Sequence, residues 1–236
     1  MARALDAAAE ESLARWRAFV FPGGEEAARA IRATEWSEAG EMRSSPKARW
    51  LPFTATQRTD ATRSAFRWDA VIGTGALTRT AVTDAYEDGR GWLTAKAAGI
   101  LPVARIQGPE TDRGELQRYL ADLGRCPTAL LLHPTLEFAS AGDRVLRARD
   151  AAGPEGATVD LELGPEGAPV AVRAMRFRAQ GRRFVEGPWS GRMTGFREWE
   201  GLRVPTGLTV SWHLPEGEFT YFRGTSTPIR AVRHPG

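Results

Sequence analysis

With one cysteine, three histidines and only two lysines (Lys47 and Lys96) in 236 residues, the chain is short of the side chains on which most cofactor and metal chemistry depends. The lone Cys126 excludes an intramolecular disulfide and a thiolate cluster. It sits at the C-terminal end of a helical pattern, where the negative pole of the dipole disfavours a thiolate, and reads as structural. His133, His213 and His234 stand far apart, and none lies in a paired-ligand spacing, so no metal is expected. Gly73-Thr-Gly75 lacks a third glycine and precedes a strand pattern, so neither the dinucleotide nor the P-loop fingerprint is present and no cofactor is expected. Pro188-Trp-Ser-Gly191 lacks the glycine that a nucleophile elbow places two residues before its serine, and Ser190 reads as a turn former.

Long apolar runs are absent too. None approaches the ~18–20 residues that span a bilayer. The first twenty residues carry Asp6, Glu10 and Glu11 where a signal peptide would be apolar, so cytoplasmic residence is the expectation. The 32 basic and 29 acidic residues are closely interspersed. The densest basic run, Arg173 to Arg183, lies in an alternating strand pattern rather than on one stripe, and no nucleic-acid partner is expected. The cationic residues are almost all arginine, as in a GC-rich bacterial genome.

What is present is strand after strand with a few helices. Leu5, Ala9, Leu13, Trp16 and Val20 fall on one helical face, and Glu25 to Arg32 reads as a second, shorter helix, giving a helical segment over 1–33. Strands are expected over 35–107. Phe66, Trp68, Ala70 and Ile72 alternate with polar neighbours, and Asp88-Gly89 marks a hairpin. A central helix over 111–124 is predicted from Leu116, Leu120 and Leu123, with Asp112 and Glu115 as a capping box and Gly124 and Pro127 as its stop. Strands resume over 128–233, at Val145–Arg149, Val159–Leu163, Val170–Arg178, Met193–Trp199, Leu208–Trp212 and Phe219–Arg223. Pro-Glu-Gly recurs at 154–156, 165–167 and 215–217, each time as a hairpin connection. About eleven strands with short links predict an α+β fold: a single domain built on a large curved antiparallel sheet, a half-barrel, with the helices packed on it.

Several stretches together resemble an uncharacterised bacterial family of unknown function. They are Trp50-Leu-Pro-Phe53, Phe66-Arg-Trp-Asp-Ala70, Asp84-Ala-Tyr-Glu-Asp-Gly89, the central Gly108-Pro-Glu-Thr-Asp-Arg-Gly-Glu-Leu-Gln-Arg-Tyr-Leu-Ala121, Pro127-Thr-Ala-Leu-Leu131, Pro188-Trp-Ser-Gly191, Gly201-Leu-Arg-Val-Pro205 and Tyr221-Phe-Arg-Gly224. The layout also resembles lipoprotein-carrier half-barrels, which implies an apolar concavity but no activity.

The candidate site residues are what remains on the strands. Asp84 shares a face with Val82 and Tyr86. Were that face concave, Asp84 would be a desolvated carboxylate suited to general acid work; were it the outer face, an ordinary solvated one. Arg176 and Arg178 need a carboxylate, such as Asp84 or Glu137, if buried. Glu110 and Asp112 read as helix-cap groups, and Arg118 with Asp122 as a solvent-side i,i+4 pair, with Arg118 and Tyr119 near the cavity edge. Asp84, Tyr86 and Arg176 are thus the catalytic candidates. Phe66, Trp68, Trp92, Arg118, Tyr119, Arg178, Trp189, Trp212 and Tyr221 are the ligand-binding ones, because tryptophan-rich walls suit small organic molecules. The expected activity is binding of a hydrophobic small molecule, with cofactor-independent cyclisation or isomerisation by a held conformer. Its rivals are a carrier or sequestering protein and a domain that takes a protein partner on its concave face.

Overall fold

The computed structural model describes residues 6–75, 77–181 and 183–233; Leu5 and His234 lie outside them. Helix α1 (Ala7–Val20) is capped by Asp6, whose Oδ1 accepts the Ala9 N–H at 2.8 Å, and it buries Ala9, Trp16 and Val20. The second helical piece is only a 3-10 turn, Ala27–Ala30, and β1 (Ile31–Met42) begins directly after it. The helical segment therefore ends before 33. Ile31 and Ala33 already pair with Arg233 and Val232 of the last strand, and that ladder outweighs the helical spacing of Ala27 and Ile31.

The chain then makes β2 (Leu51–Asp60), β3 (Phe66–Ile72), β4 (Thr80–Glu87), β5 (Arg90–Ala97) and β6 (Leu101–Gln107), followed by helix α2 (Pro109–Ala121) and the short α3 (Ala129–Leu132). The second half supplies β7 (Leu136–Gly142), β8 (Val145–Asp150), β9 (Thr158–Leu163), β10 (Pro169–Gln180), β11 (Arg183–Thr194), β12 (Arg197–Trp199), β13 (Leu202–Val204), β14 (Gly207–Leu214) and β15 (Gly217–Arg233). Thirteen strands form one antiparallel sheet in the order β6-β5-β4-β3-β2-β1-β15-β14-β11-β10-β9-β8-β7, and β12 pairs with β13 alone. The two halves of the chain are the two arms of a half-barrel, joined where β1 meets β15. The expected architecture is the observed one.

In the main sheet two strands exceed the expected eleven or so, and β12 and β13 add a separate pair. In β7 only Leu136 and Phe138 alternate before small residues follow, so no period shows. In β11, Gly187-Pro188 reads as a break. Proline is tolerated there because β11 pairs with β14 only from Trp189 onward, leaving its Pro188 edge without a ladder bond to lose. Ser190 accordingly sits within a strand, not in a turn, and Met193–Trp199 divides between β11 and β12. The expected turns form. Asp88 and Gly89 both have positive φ, 49° and 78°, between the paired residues Glu87 and Arg90. All three Pro-Glu-Gly segments connect adjacent strands.

Helix α2 lies inside the concave face and touches β4 and β5 of one arm and β9 and β10 of the other. It has no capping box. Pro109 occupies its first turn after Gly108, so the helix starts earlier than Asp112. Asp112 Oδ1 instead accepts the Gly91 N–H at 2.7 Å, tying the helix to β5. At Gly91 a side chain is excluded, since its Cβ would fall 2.6 Å from the Thr111 carbonyl oxygen.

Candidate functional site

Helix α2 divides the interior. Towards the Asp60 and Asp88-Gly89 ends of the strands the space is filled: Leu116, Tyr119 and Leu120 are wholly buried against the core that includes Phe66 and Tyr86, and Tyr119 donates its hydroxyl to the Asp60 carbonyl at 3.0 Å. Towards Met42 and Ile72 a cavity of about 390 Å³ remains. That volume falls in the range of small-molecule sites, about 300–1,000 Å³. Its walls are Met42, Trp68, Ile72 and Val82 on one arm and Val172, Trp189, Val210, Trp212, Tyr221 and Phe222 on the other, while α2 and the turn after it form the floor.

Tyr221 reaches the cavity through a β-bulge. Val210 pairs with Phe222 and Ser211 with Thr220, so Tyr221 is the extra residue, and the bulge lets both Tyr221 and Phe222 face inward. Its hydroxyl oxygen accepts the Trp189 indole N–H at 3.0 Å, and its ring stacks on Trp212 at 6.4 Å. Burial raises its pKa.

The floor is charged. The buried Arg125 donates to Glu38, to both Asp122 Oδ1 (2.9 and 3.1 Å) and Gln57 Oε1 (3.1 Å), and to Ser226 Oγ (3.1 Å). Glu38 also accepts the Trp68 indole N–H at 2.7 Å, and Asp122 accepts Gln57 Nε2 at 2.8 Å. Burial works against the Glu38 carboxylate, but the Arg125 charge and the hydrogen bonds hold its pKa below the usual range.

Beside this network, Arg118 donates to Asp84 and lies over the rings of Phe66 and Trp68 at 4.9 and 5.0 Å. Arg176 donates to the Gly114 carbonyl at 2.6 Å and stacks 4.7 Å from the Trp189 ring centroid. Between them is Glu115. Burial, then the neighbouring Asp84 carboxylate, push its pKa up to about 8, against the pull of Arg176 and Arg118. Asp84 Oδ1, Glu115 Oε2 and Arg176 Nε are buried without a hydrogen-bond partner among the described groups. A proton on Glu115 lets the two carboxyl groups share a hydrogen bond. With that proton in place, the carboxylates Glu38, Asp84 and Asp122 balance the guanidinium groups Arg118, Arg125 and Arg176.

The structure thus brings Asp84, Trp68, Arg118, Arg176, Trp189, Trp212 and Tyr221 together and settles the Asp84 face as concave. Arg118 and Asp122 point inward rather than to solvent. Phe66 lies beneath Arg118 and outside the lining. Tyr119 is in the filled core, Trp92 lines a separate surface recess with Arg105 and Gln107, and Arg178 is half-buried beyond the lining. Tyr86 shares the face of Asp84 but lies across α2, where burial and then Asp150 push its pKa to about 12. Glu137 pairs with Arg149 outside, at 2.5 Å. Glu115, Glu38 and Arg125 were not anticipated. A proline at the first helical position was the available signal for Glu115, since it moves the helix start away from Asp112.

A second polar group, Ser64, His133 and Asp150, has triad residue types without triad geometry. Ser64 Oγ donates to Asp150 Oδ2 at 2.6 Å and lies 3.1 Å from His133 Nε2. His133 Nδ1 accepts the Thr135 N–H at 3.3 Å, which places the ring proton on Nε2, pointing at Ser64. The imidazole is therefore a donor to the serine and not its base, and burial lowers its pKa. Among the described residues, no group of three or more His, Cys, Asp or Glu is arranged to hold a metal ion, and no helix is long and apolar enough to cross a membrane.

Among solved structures, a DUF1329 family protein from Desulfovibrio piger is similar at 9% identity with a TM-score of 0.51, over 94% of this chain and 92% of that one. A LolA superfamily protein from Nitrosomonas europaea is similar at 11% identity with a TM-score of 0.49, over 96% of each chain. Among curated proteins none matches. The sequence itself matches a family of unknown function, DUF6544, over residues 11–224, as the resemblance of its motifs implied, and the chain belongs to that family.

Proposed function

We propose that the cavity above α2 binds a hydrophobic small molecule and that, within this reading, the protein transforms it without a cofactor, by isomerisation or cyclisation. The observation that carries the reading is the pairing of an aromatic-walled chamber with one buried acid pair. Trp68, Trp189 and Trp212 offer flat apolar faces, and at the floor Glu115 holds a proton at neutral pH beside Asp84. A carboxylic acid kept neutral by burial is suited to donate to a substrate, and Arg118 and Arg176, against the like charge of Asp84, would stabilise the carboxylate left behind. Positive charge developing on the substrate would meet the indole faces, which attract cations. Isomerisation needs one protonation and one deprotonation, and the pair supplies both without consuming a reagent.

The carrier reading rests on the rest of the lining. Met42, Ile72, Val82, Leu208, Val210 and Phe222 offer no reactive group, and such walls hold a lipid-like ligand equally well. Native mass spectrometry of freshly purified protein, with extraction of whatever is bound, separates these readings. A co-purifying lipophilic molecule supports the chamber, and its conversion by wild type but not by Glu115→Gln supports the enzyme. Unchanged ligand after incubation supports the carrier. A ligand-free mass together with no thermal shift across a hydrophobic library would overturn both.

A further inference from the structure

The Met42 and Ile72 end of the cavity is also one end of the N-terminal arm, as the ladders show. Met42 pairs with Leu51, Phe53 with Ile72, Ile72 with Thr80, Thr80 with Ala97 and Ala97 with Leu101. The links β1–β2, β3–β4 and β5–β6 therefore gather beside the cavity-lining residues Met42, Ile72 and Val82. Here the surface is apolar. Leu77 is 85% exposed, Ile100 82%, Leu101 64% and Val103 56%, the last two on the edge strand β6. Edge strands are normally blunted by charge or cover, and an exposed apolar edge is a liability unless something meets it.

The links at this end are cationic and free of acids, and the neighbouring Glu41 of β1 is paired with Arg223. Residues 42–59, 70–83 and 89–109 contain no Asp or Glu, yet they carry Arg43, Lys47, Arg49, Arg79 and Lys96 around these links, including both lysines of the chain. None of these five forms an ion pair among the described residues. Arg43 donates to the carbonyls of Thr220 (2.8 Å) and Pro46 (3.2 Å) and lies over the Trp50 ring. At the opposite end of the same arm the cations are paired: Arg63 with Glu87 and Asp88, and Arg90 with Asp112.

We propose that this end docks on a bilayer surface bearing anionic lipids, with Leu77 and Ile100 entering the interface and the lysines and arginines meeting the headgroups. Apolar tips flanked by unpaired cations are the combination that binds such surfaces, since burial of apolar area and attraction to anionic lipid add. A neutral or acidic partner surface lacking an apolar interior would leave Leu77 and Ile100 unsatisfied. Docking in this orientation sets the Met42 and Ile72 end of the chamber against the membrane, which would let a lipophilic ligand pass between the two with little exposure to water. The docking stands on the surface residues alone and goes beyond the cavity reading.

The test is co-sedimentation of the full chain with phosphatidylcholine vesicles, with and without phosphatidylglycerol. Binding is expected only with the anionic lipid, released at high salt, and weakened about tenfold or more in both Lys47→Glu/Lys96→Glu and Leu77→Ser/Ile100→Ser. All four positions lie outside the cavity floor, so uptake of a fluorescent apolar probe in solution should be unchanged in these variants. Wild type that takes up the probe but does not dock would overturn the docking alone and leave the cavity reading standing. No binding to anionic vesicles at low salt, or equal binding by the variants, would overturn it. So would a solution dimer abolished by Leu101→Lys, which would assign the apolar edge to a second copy of the chain.

Discussion

Two charged groups sit on the floor of one cavity, within a few helical turns of each other, and they are built differently. Around Arg125 every donor finds an acceptor: Glu38, Asp122, Gln57 and Ser226 close the network, and Trp68 completes it. Around Glu115 the accounting fails, because Asp84 Oδ1, Glu115 Oε2 and Arg176 Nε all lack partners. A complete buried network fixes geometry; an incomplete one keeps a proton or a hydrogen bond in reserve. The first group is thus read as the clamp between the turn after α2 and strands β1, β2 and β15, and the second as the chemistry the clamp positions.

Breaking the clamp should have the largest effect. Arg125→Met leaves Glu38 and Asp122 buried without their cation, and a loss of about 3–5 kcal/mol in urea denaturation is expected. A loss under about 1 kcal/mol would remove the distinction between the two groups.

Glu115→Gln should have the opposite sign, and it sharpens the comparison through pH. The folded Glu115 keeps its proton to about pH 8, whereas its unfolded pKa is near the ordinary glutamate 4.5. Between these values the folded state binds more protons than the unfolded one, so this group makes wild-type stability fall as pH rises. Glutamine removes that slope. The variant should match or exceed wild type at neutral pH, with its relative advantage growing from pH 5 to pH 8 to on the order of 3 kcal/mol. Parallel stability curves for the two proteins would mean that Glu115 ionises freely.

The same contrast explains what the sequence could reveal. Hairpins and the leucine face of α2 were legible because local signals decide them: Asp88-Gly89 needs positive φ, and Leu116, Leu120 and Leu123 repeat at helical spacing. The aromatic wall was partly legible, since Trp68 falls in a clean alternation. The floor was not. Asp112 and Glu115 stand at capping-box spacing, so a local explanation absorbed the residue that the fold turns inward. The inward row of β1, Thr34, Trp36 and Glu38, has no apolar period to announce a buried strand, because its polar members are satisfied by Arg125 from far along the chain. Tyr221 depends on a bulge that no residue type marks. Long-range polar pairing leaves no periodic trace.

The smallest effects compare one hydroxyl from each side. Ser226 Oγ donates to Glu38 Oε1 at 3.2 Å and accepts from Arg125 at 3.1 Å, both partners charged, so Ser226→Ala should cost about 1–3 kcal/mol. The Tyr221 oxygen only accepts the Trp189 N–H, and its own proton has no acceptor among the described residues. Tyr221→Phe loses one neutral hydrogen bond and keeps the ring stacked on Trp212, so about 1 kcal/mol or less is expected, with a shift in Trp189 fluorescence. The free Tyr221 proton should show instead in ligand binding, where the phenylalanine variant discriminates less between an apolar probe and its carbonyl-bearing analogue. Equal stability costs for the two substitutions, with unaltered probe preference, would place Tyr221 with the clamp rather than with the chamber.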